Sequence, residues 1–162
     1  HKTDVGGVVL GLADEDALVA AYRTMAAALG PRVLIQAMAQ PGVEVMVGMS
    51  RDATFGPVMT IAMGGILVEL LDDAVAFVPP VAPEEAAALI ARLRGAKMLD
   101  GVRGRPAADR AALARAVSNL SAMVAVLGDV IAGLDVNPLL VHAQGVTAVD
   151  GLVVTGEPVE QT

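Results

Sequence analysis

Leu134-Asp135-Val136-Asn137-Pro138-Leu139-Leu140-Val141, then His142-Ala143-Gln144-Gly145, then Val146-Thr147-Ala148-Val149-Asp150-Gly151 decides the reading of this chain. Two apolar runs, 135–141 and 146–154, flank a short polar turn containing glycine, the pattern of a β-hairpin. With the turn centred between Ala143 and Gln144, Asn137 stands directly across from Asp150, and opposed side chains on one face are near enough to share a ligand. Asp135 falls on the same face as Asn137, because side chains alternate along a strand. Carboxylate and amide oxygens, completed by phosphate oxygens and water, are hard-cation donors and suit magnesium. The structural alternative is that Asn137 makes a turn before Pro138 and Asp150 opens a loop. A one-residue slip would send the pair to opposite faces.

Working outward, three segments carry helix signals. The first starts near Asp14, a capping residue, and ends at Gly30-Pro31, with Leu18, Tyr22, Met25 and Leu29 on one stripe. The second opens at Pro83-Glu84-Glu85 and closes at Arg92, Arg94 and Gly95, acid first and base last as the helix dipole prefers. The third spans Asp109 to Leu127 and is expected to bury Leu113, Val117, Leu120, Val124 and Leu127. Between them, Val33–Met38 and Val43–Met49 flank the turn Gln40-Pro41-Gly42 as a hairpin, and Val58–Ala62 and Ile66–Leu71 surround Gly64-Gly65. Strands outnumber helices and short turns join them. This predicts an α+β fold, a largely antiparallel sheet flanked by helices, rather than a doubly wound parallel one.

The chain has 162 residues, enough for one compact domain with a real core. It is 55% apolar but only 2% aromatic, so small side chains must fill tight helix–sheet contacts. A formal charge of -7 argues against nucleic acid, whose phosphates repel an acidic surface. A nucleotide can still bind through a local nest of backbone N–H groups and one metal ion. There is no cysteine, which excludes disulfides and thiolate metal sites. Apolar stretches are cut by glycine, proline or charge short of a membrane span, and the start lacks a signal-peptide pattern, so the expected location is cytoplasmic.

His1-Lys2-Thr3-Asp4-Val5-Gly6-Gly7 leads from a polar loop into an apolar run. Paired glycines let N–H groups approach a phosphate, and Lys2 adds charge. Such turns are also common without any ligand. His1 is either a solvated terminal residue or a nucleophile for a phosphoryl group, since neutral imidazole attacks near physiological pH. Val33–Met38 ends a buried-looking run at Gln36 and Met38. Glu44, alone among apolar neighbours, either faces solvent or reaches a ligand hydroxyl.

These segments resemble the ATP-grasp domain of NDP-forming acyl-CoA synthetases (acetate–CoA ligase, ADP-forming), relatives of the succinyl-CoA synthetase β subunit. The likeness is carried by HKTDVGGVVLGL at 1–12, PGVEVMVGMSRDATFGPV at 41–58, MGGILVELLDD at 63–73, LDGVRGRPAAD at 99–109, LDVNPLLV at 134–141 and AVDGLVV at 148–154. It implies that residues 1–162 are a partial ATP-grasp domain: the C-terminal subdomain plus part of the small nucleotide-binding subdomain, with the N-terminal part of the fold absent. It further implies a loop over the nucleotide phosphates at Gly6 and Gly7 with Lys2 beside it, phosphoryl relay by His1, and an adenine hinge from Gln36 to Met38. A ribose-contacting carboxylate falls at Glu44, magnesium ligands at Asn137 and Asp150, and an acidic residue near the transferred phosphoryl group at Asp135. The implied cofactors are ATP/ADP and Mg2+. The implied reaction joins an acid, CoA and ATP reversibly to acyl-CoA, ADP and phosphate through phosphohistidine, with CoA-binding and ligase domains or a subunit as partners in an oligomer.

The sequence departs from the family pattern in places. The lysine usual on the strand before the His1 loop is not in the chain. Gly133 replaces a common acidic residue, Ala62 replaces a usual glycine, and an arginine before Pro79-Pro80 is missing. These departures keep open a second reading, a regulatory ATP-grasp-like domain joined to a protein lysine acetyltransferase. A ligand-free interaction domain is a third, weakened by the DVNP…VD register.

Overall fold

Val43-Glu44-Val45-Met46-Val47-Gly48-Met49 folds as strand β1, Val43–Asp52, with Val45, Val47 and Met49 buried at alternate positions. The structure, a computed structural model, describes residues 6–65, 73–101, 104 and 106–156. It divides into two compact units, His1–Ala39 and Gln40–Thr162.

In the second unit, β1 is followed by β2 (Gly56–Met63), β3 (Ala74–Phe77), α2 (Pro83–Ala91), a 3-10 helix (Arg94–Asp100), α3 (Arg110–Leu127), β4 (Ile131–Val141), β5 (Val146–Ala148) and β6 (Gly151–Thr155). The sheet order is β3-β2-β1-β4-β5, and β6 also pairs with β4. Every pairing among the described residues is antiparallel. One face is the core: Val45, Val47, Ile61, Met63, Val136 and Leu139 pack with Ile90 of α2 and Leu113, Val117 and Val124 of α3. The α+β sheet with helices packed on it is therefore the fold.

The β1–β2 connection shows how side chains fix register. The Asp52 carboxylate accepts from the backbone N–H of Thr54 at 2.8 Å and of Phe55 at 2.9 Å, and Gly56 takes φ 72, a conformation with little cost only for glycine. Those two donors hold the Asp52 carboxyl below its ordinary value.

Helix α3 begins as expected. Asp109 caps it by accepting from Ala112 N–H at 2.9 Å, and its other oxygen accepts from Gly145 N–H at 2.9 Å in the β4–β5 turn. These donors, Ala112 first, depress the Asp109 pKa. A carboxyl depressed in the folded state adds stability above its unfolded pKa, and that contribution is lost as pH falls through the folded one. The Asp109→Asn variant is therefore expected to lose less stability than the parent between pH 7 and pH 3, measured by urea unfolding at each pH. An equal loss in both would show that this cap is not linked to protonation. Helix α3 alone among the described residues is long and apolar enough to cross a membrane by length and composition, but its Leu113, Val117 and Val124 face is covered by the sheet. Leu120 is only partly buried and Leu127 is 42% exposed, so the buried stripe is shorter than periodicity predicts.

Two further expectations are corrected in this unit. The second helix does not end on Gly95: its C-cap is Arg92, and Gly95 lies in the following 3-10 helix. Asp73, 5% exposed, accepts from Arg94 N–H and Gly95 N–H, both at 2.7 Å, so a buried carboxylate pins that turn. The strand expected at 146–154 is two strands, β5 and β6, parted at Val149-Asp150. Pro138 opposite has no N–H to give, so the ladder is interrupted there. The expected strand at 66–71 lies outside the described residues, apart from which β3 forms at Ala74–Phe77.

The first unit contains α1, Glu15–Leu29, capped as predicted by Asp14, which accepts from Ala17 N–H at 2.9 Å. The expected stripe is not buried: no residue of α1 is. Residues 33–38 form no strand, contrary to the predicted hairpin with β1. A strand exists only where its backbone groups find a ladder partner, and no ladder forms among the described residues of this unit. Leu34 is 85% exposed as a result.

Candidate functional site

On the sheet face opposite the helices, β4 carries Asp135 and Asn137, both exposed, between buried Leu134, Val136 and Leu139. The register anticipated from the sequence is the one formed. Leu139 pairs with Ala148 on one side and Val136 with Gly151 on the other. Between them, Asn137 N–H donates to Asp150 O at 3.1 Å and Val149 N–H to Pro138 O at 3.0 Å. Asn137 and Asp150 are thus opposed across one ribbon, and Asp150 is exposed like Asn137. Against β1, β4 holds one extra residue: Val45 pairs with Leu139 but Val47 with Val136. Such a bulge is where a proline is tolerated inside a sheet.

Beside it lies an open depression of ≈ 270 Å³ lined by Met46, Gly48, Met49, Ser50, Thr60, Leu134 and Asp135. Gly48 pairs with Asp135 across the β1–β4 ladder, and its missing side chain leaves the space next to the carboxylate. Of the predicted site residues only Asp135 lines this depression. Glu44 is exposed at the other end of β1, against the Gly64-Gly65 turn that follows β2.

The donor set suits a hard cation. Among the described residues no three His, Cys, Asp or Glu side chains gather as a metal cage, so the protein offers an amide oxygen and carboxylates on an exposed face. Magnesium keeps waters and phosphate oxygens in its shell and takes only one or two carboxylates from protein. A metal held together with a phosphate-bearing ligand fits this surface.

Gly6, Gly7, Gln36 and Met38 lie in the first unit. Gly6 has φ 71, and Gln36 and Met38 sit in the strandless stretch, with Met38 61% exposed. His1 and Lys2 lie outside the described residues. Sequence reading missed Gly48, Ser50 and Thr60 as the wall of the depression. A glycine in the middle of an apolar strand was the available signal, since it marks a close approach or an opened space.

Fold and sequence together define the class: the ATP-grasp domain family matches residues 1–155, and the chain belongs to it. Acetate–CoA ligase [ADP-forming] I of Archaeoglobus fulgidus is 34% identical over 98% of this chain, which spans 24% of that protein. The subunit beta of acetate–CoA ligase [ADP-forming] I of Pyrococcus furiosus is 32% identical over 95% of this chain and 69% of its own length. The dinucleotide-forming acetyl-coenzyme A synthetase 1 of Ca. Korarchaeum cryptofilum, solved with coenzyme A and Mg-AMPPCP, superposes with a TM-score of 0.85 at 33% identity, covering 96% of this chain and 71% of that one. The chain is thus an ATP-grasp domain of the kind found in ADP-forming acetate–CoA ligases, and spans about a quarter of the single-chain relative.

Proposed function

We propose that this chain is the nucleotide-binding, phosphoryl-transfer module of a larger NDP-forming acyl-CoA synthetase, working with ATP/ADP and Mg2+ and with CoA-binding and ligase domains or a subunit. The observation that carries the reading is the hairpin register, which sets Asn137 opposite Asp150 with Asp135 on the same face. Asn137 and Asp150 would hold the magnesium ion. Magnesium supplies charge neutralisation between the phosphates when bound. The neighbours of this family support the ligand assignment, since one is solved with Mg-AMPPCP and with a phosphohistidine segment pointing towards its nucleotide site.

The protein's own groups divide the work. Gly6, Gly7 and Lys2 cradle the phosphates, Gln36 and Met38 flank adenine, and Glu44 meets the ribose. Asp135 lies near the transferred phosphoryl group. A ring nitrogen of His1 bonds to the γ-phosphorus as the bond to the bridging oxygen breaks, and ADP leaves. In the reverse direction the phosphoryl group returns from His1 to ADP. Holding donor and acceptor in line is most of the catalysis in phosphoryl transfer.

The test uses the full-length protein with acid, CoA and MgATP. Acyl-CoA and ADP should form in equal amounts, and His1→Ala should abolish turnover while leaving the Kd for MgATP within about twofold. Normal turnover by His1→Ala would reduce His1 to a loop residue. MgATP binding without turnover by the parent would favour the regulatory reading, a module serving a protein lysine acetyltransferase.

A further inference from the structure

We propose that Gly64 and Gly65 are positioning residues for Glu44, and that this pair of glycines sets how well the protein recognises the ribose hydroxyls of its nucleotide. The inference rests on the reading of Glu44 as the ribose-contacting carboxylate. Its own ground is geometric. Gly64 N–H donates to the Glu44 carbonyl at 2.7 Å. A Cβ at Gly64 would stand 2.6 Å from Glu44 Cβ, 2.8 Å from its carbonyl carbon and 3.0 Å from its carbonyl oxygen. Those atoms are backbone and side-chain root, so nothing can swing aside. Gly65 adopts φ 75 and places its α-carbon so that a Cβ would lie 3.4 Å from Glu44 Oε2.

The turn after β2 therefore forms a wall of bare backbone against both the root and the tip of Glu44. A glutamate has three rotatable bonds and, alone on an exposed strand, would sample many rotamers. A wall on one side removes part of that freedom before ligand arrives, which lowers the ordering cost of binding. Two hydroxyls on adjacent ribose carbons demand such placement, because a carboxylate accepts from both only within a narrow range of positions.

The experiment measures Kd in the full-length protein, with Mg2+, for ATP and for its 2′-deoxy and 3′-deoxy analogues. Glu44→Gln should reduce the preference for ATP over the deoxy analogues by about tenfold. Gly64→Ala should reduce it comparably, and Glu44→Gln added to Gly64→Ala should lower it no further, as expected for residues acting through one contact. Gly65→Asn provides a milder variant, since asparagine tolerates this backbone conformation better than most side chains. It puts a side chain in contact with Oε2 and should lower the same preference. If Glu44→Gln leaves the preference unchanged, the ribose assignment of Glu44 fails and the positioning role with it. If Glu44→Gln lowers it while folded Gly64→Ala and Gly65→Asn both keep it, the positioning role alone is overturned.

Discussion

Replacing Asp150 with asparagine in the full-length protein is expected to weaken Mg2+-dependent ATP binding by at least about a hundredfold, while metal-free binding changes little. The size follows from what the substitution does. It removes the charge but keeps the shape, so the β4–β6 ribbon and the Asn137 N–H bond to the Asp150 carbonyl remain. With no third carboxylate gathered nearby among the described residues, little else on this face can offset the lost charge. Calorimetric titration of ATP with magnesium and with chelator separates the two regimes. Equal affinities for variant and parent in magnesium would remove the assignment of Asp150 to the metal, leaving the family and fold untouched.

The second large effect is on stability. Asp73→Ala is expected to destabilise the second unit by about 3 kcal/mol, the cost of leaving donors buried after deleting a charged acceptor. Both Asp73 oxygens are used, one by Arg94 N–H and one by Gly95 N–H, and the residue is 5% exposed. Water cannot readily replace it, because Gly95 also packs on Met63, whose Cγ would be 2.8 Å from any added Cβ. Asp73→Asn should lose less, since one oxygen still accepts. Urea unfolding followed by circular dichroism gives the comparison, and a loss below about 1 kcal/mol for the alanine variant would mean the turn is held otherwise.

How much of this was legible depended on whether a signal was local. Asp14 and Asp109 announced their helices because a capping carboxylate acts within three residues. The 135–151 hairpin was legible in register, since period-two alternation and the glycine of its turn agree. The bulge was not, because alternation cannot reveal which strand carries an extra residue until a third strand is laid beside it. The stretch 33–38 misled because apolar composition predicts a wish for burial, whereas strand formation requires a partner. The same gap explains α1, a well-marked helix whose stripe finds nothing to cover it within its own unit. Of the candidate site, the opposition of Asn137 and Asp150 was readable from spacing alone. The contact of Gly64 with Glu44 joins positions far apart in the chain and left no trace in the pattern.

The extra residue at Asn137-Pro138 governs more than a local kink. Below it, β4 turns its even-numbered residues Leu134 and Val136 inward; above it, the odd-numbered Leu139 and Val141. The opposing ribbon keeps pace, advancing equally from Ala148 to Gly151, so only β1 sees the change of parity. Shortening β4 by one there would restore plain alternation, with Leu134, Val136, Leu139 and Val141 all still inward, but would leave the facing ribbon one residue too long between Ala148 and Gly151. Evolution can therefore edit this spot only by altering both sides of the ribbon together, which ties the length of the hairpin to the whereabouts of its charges.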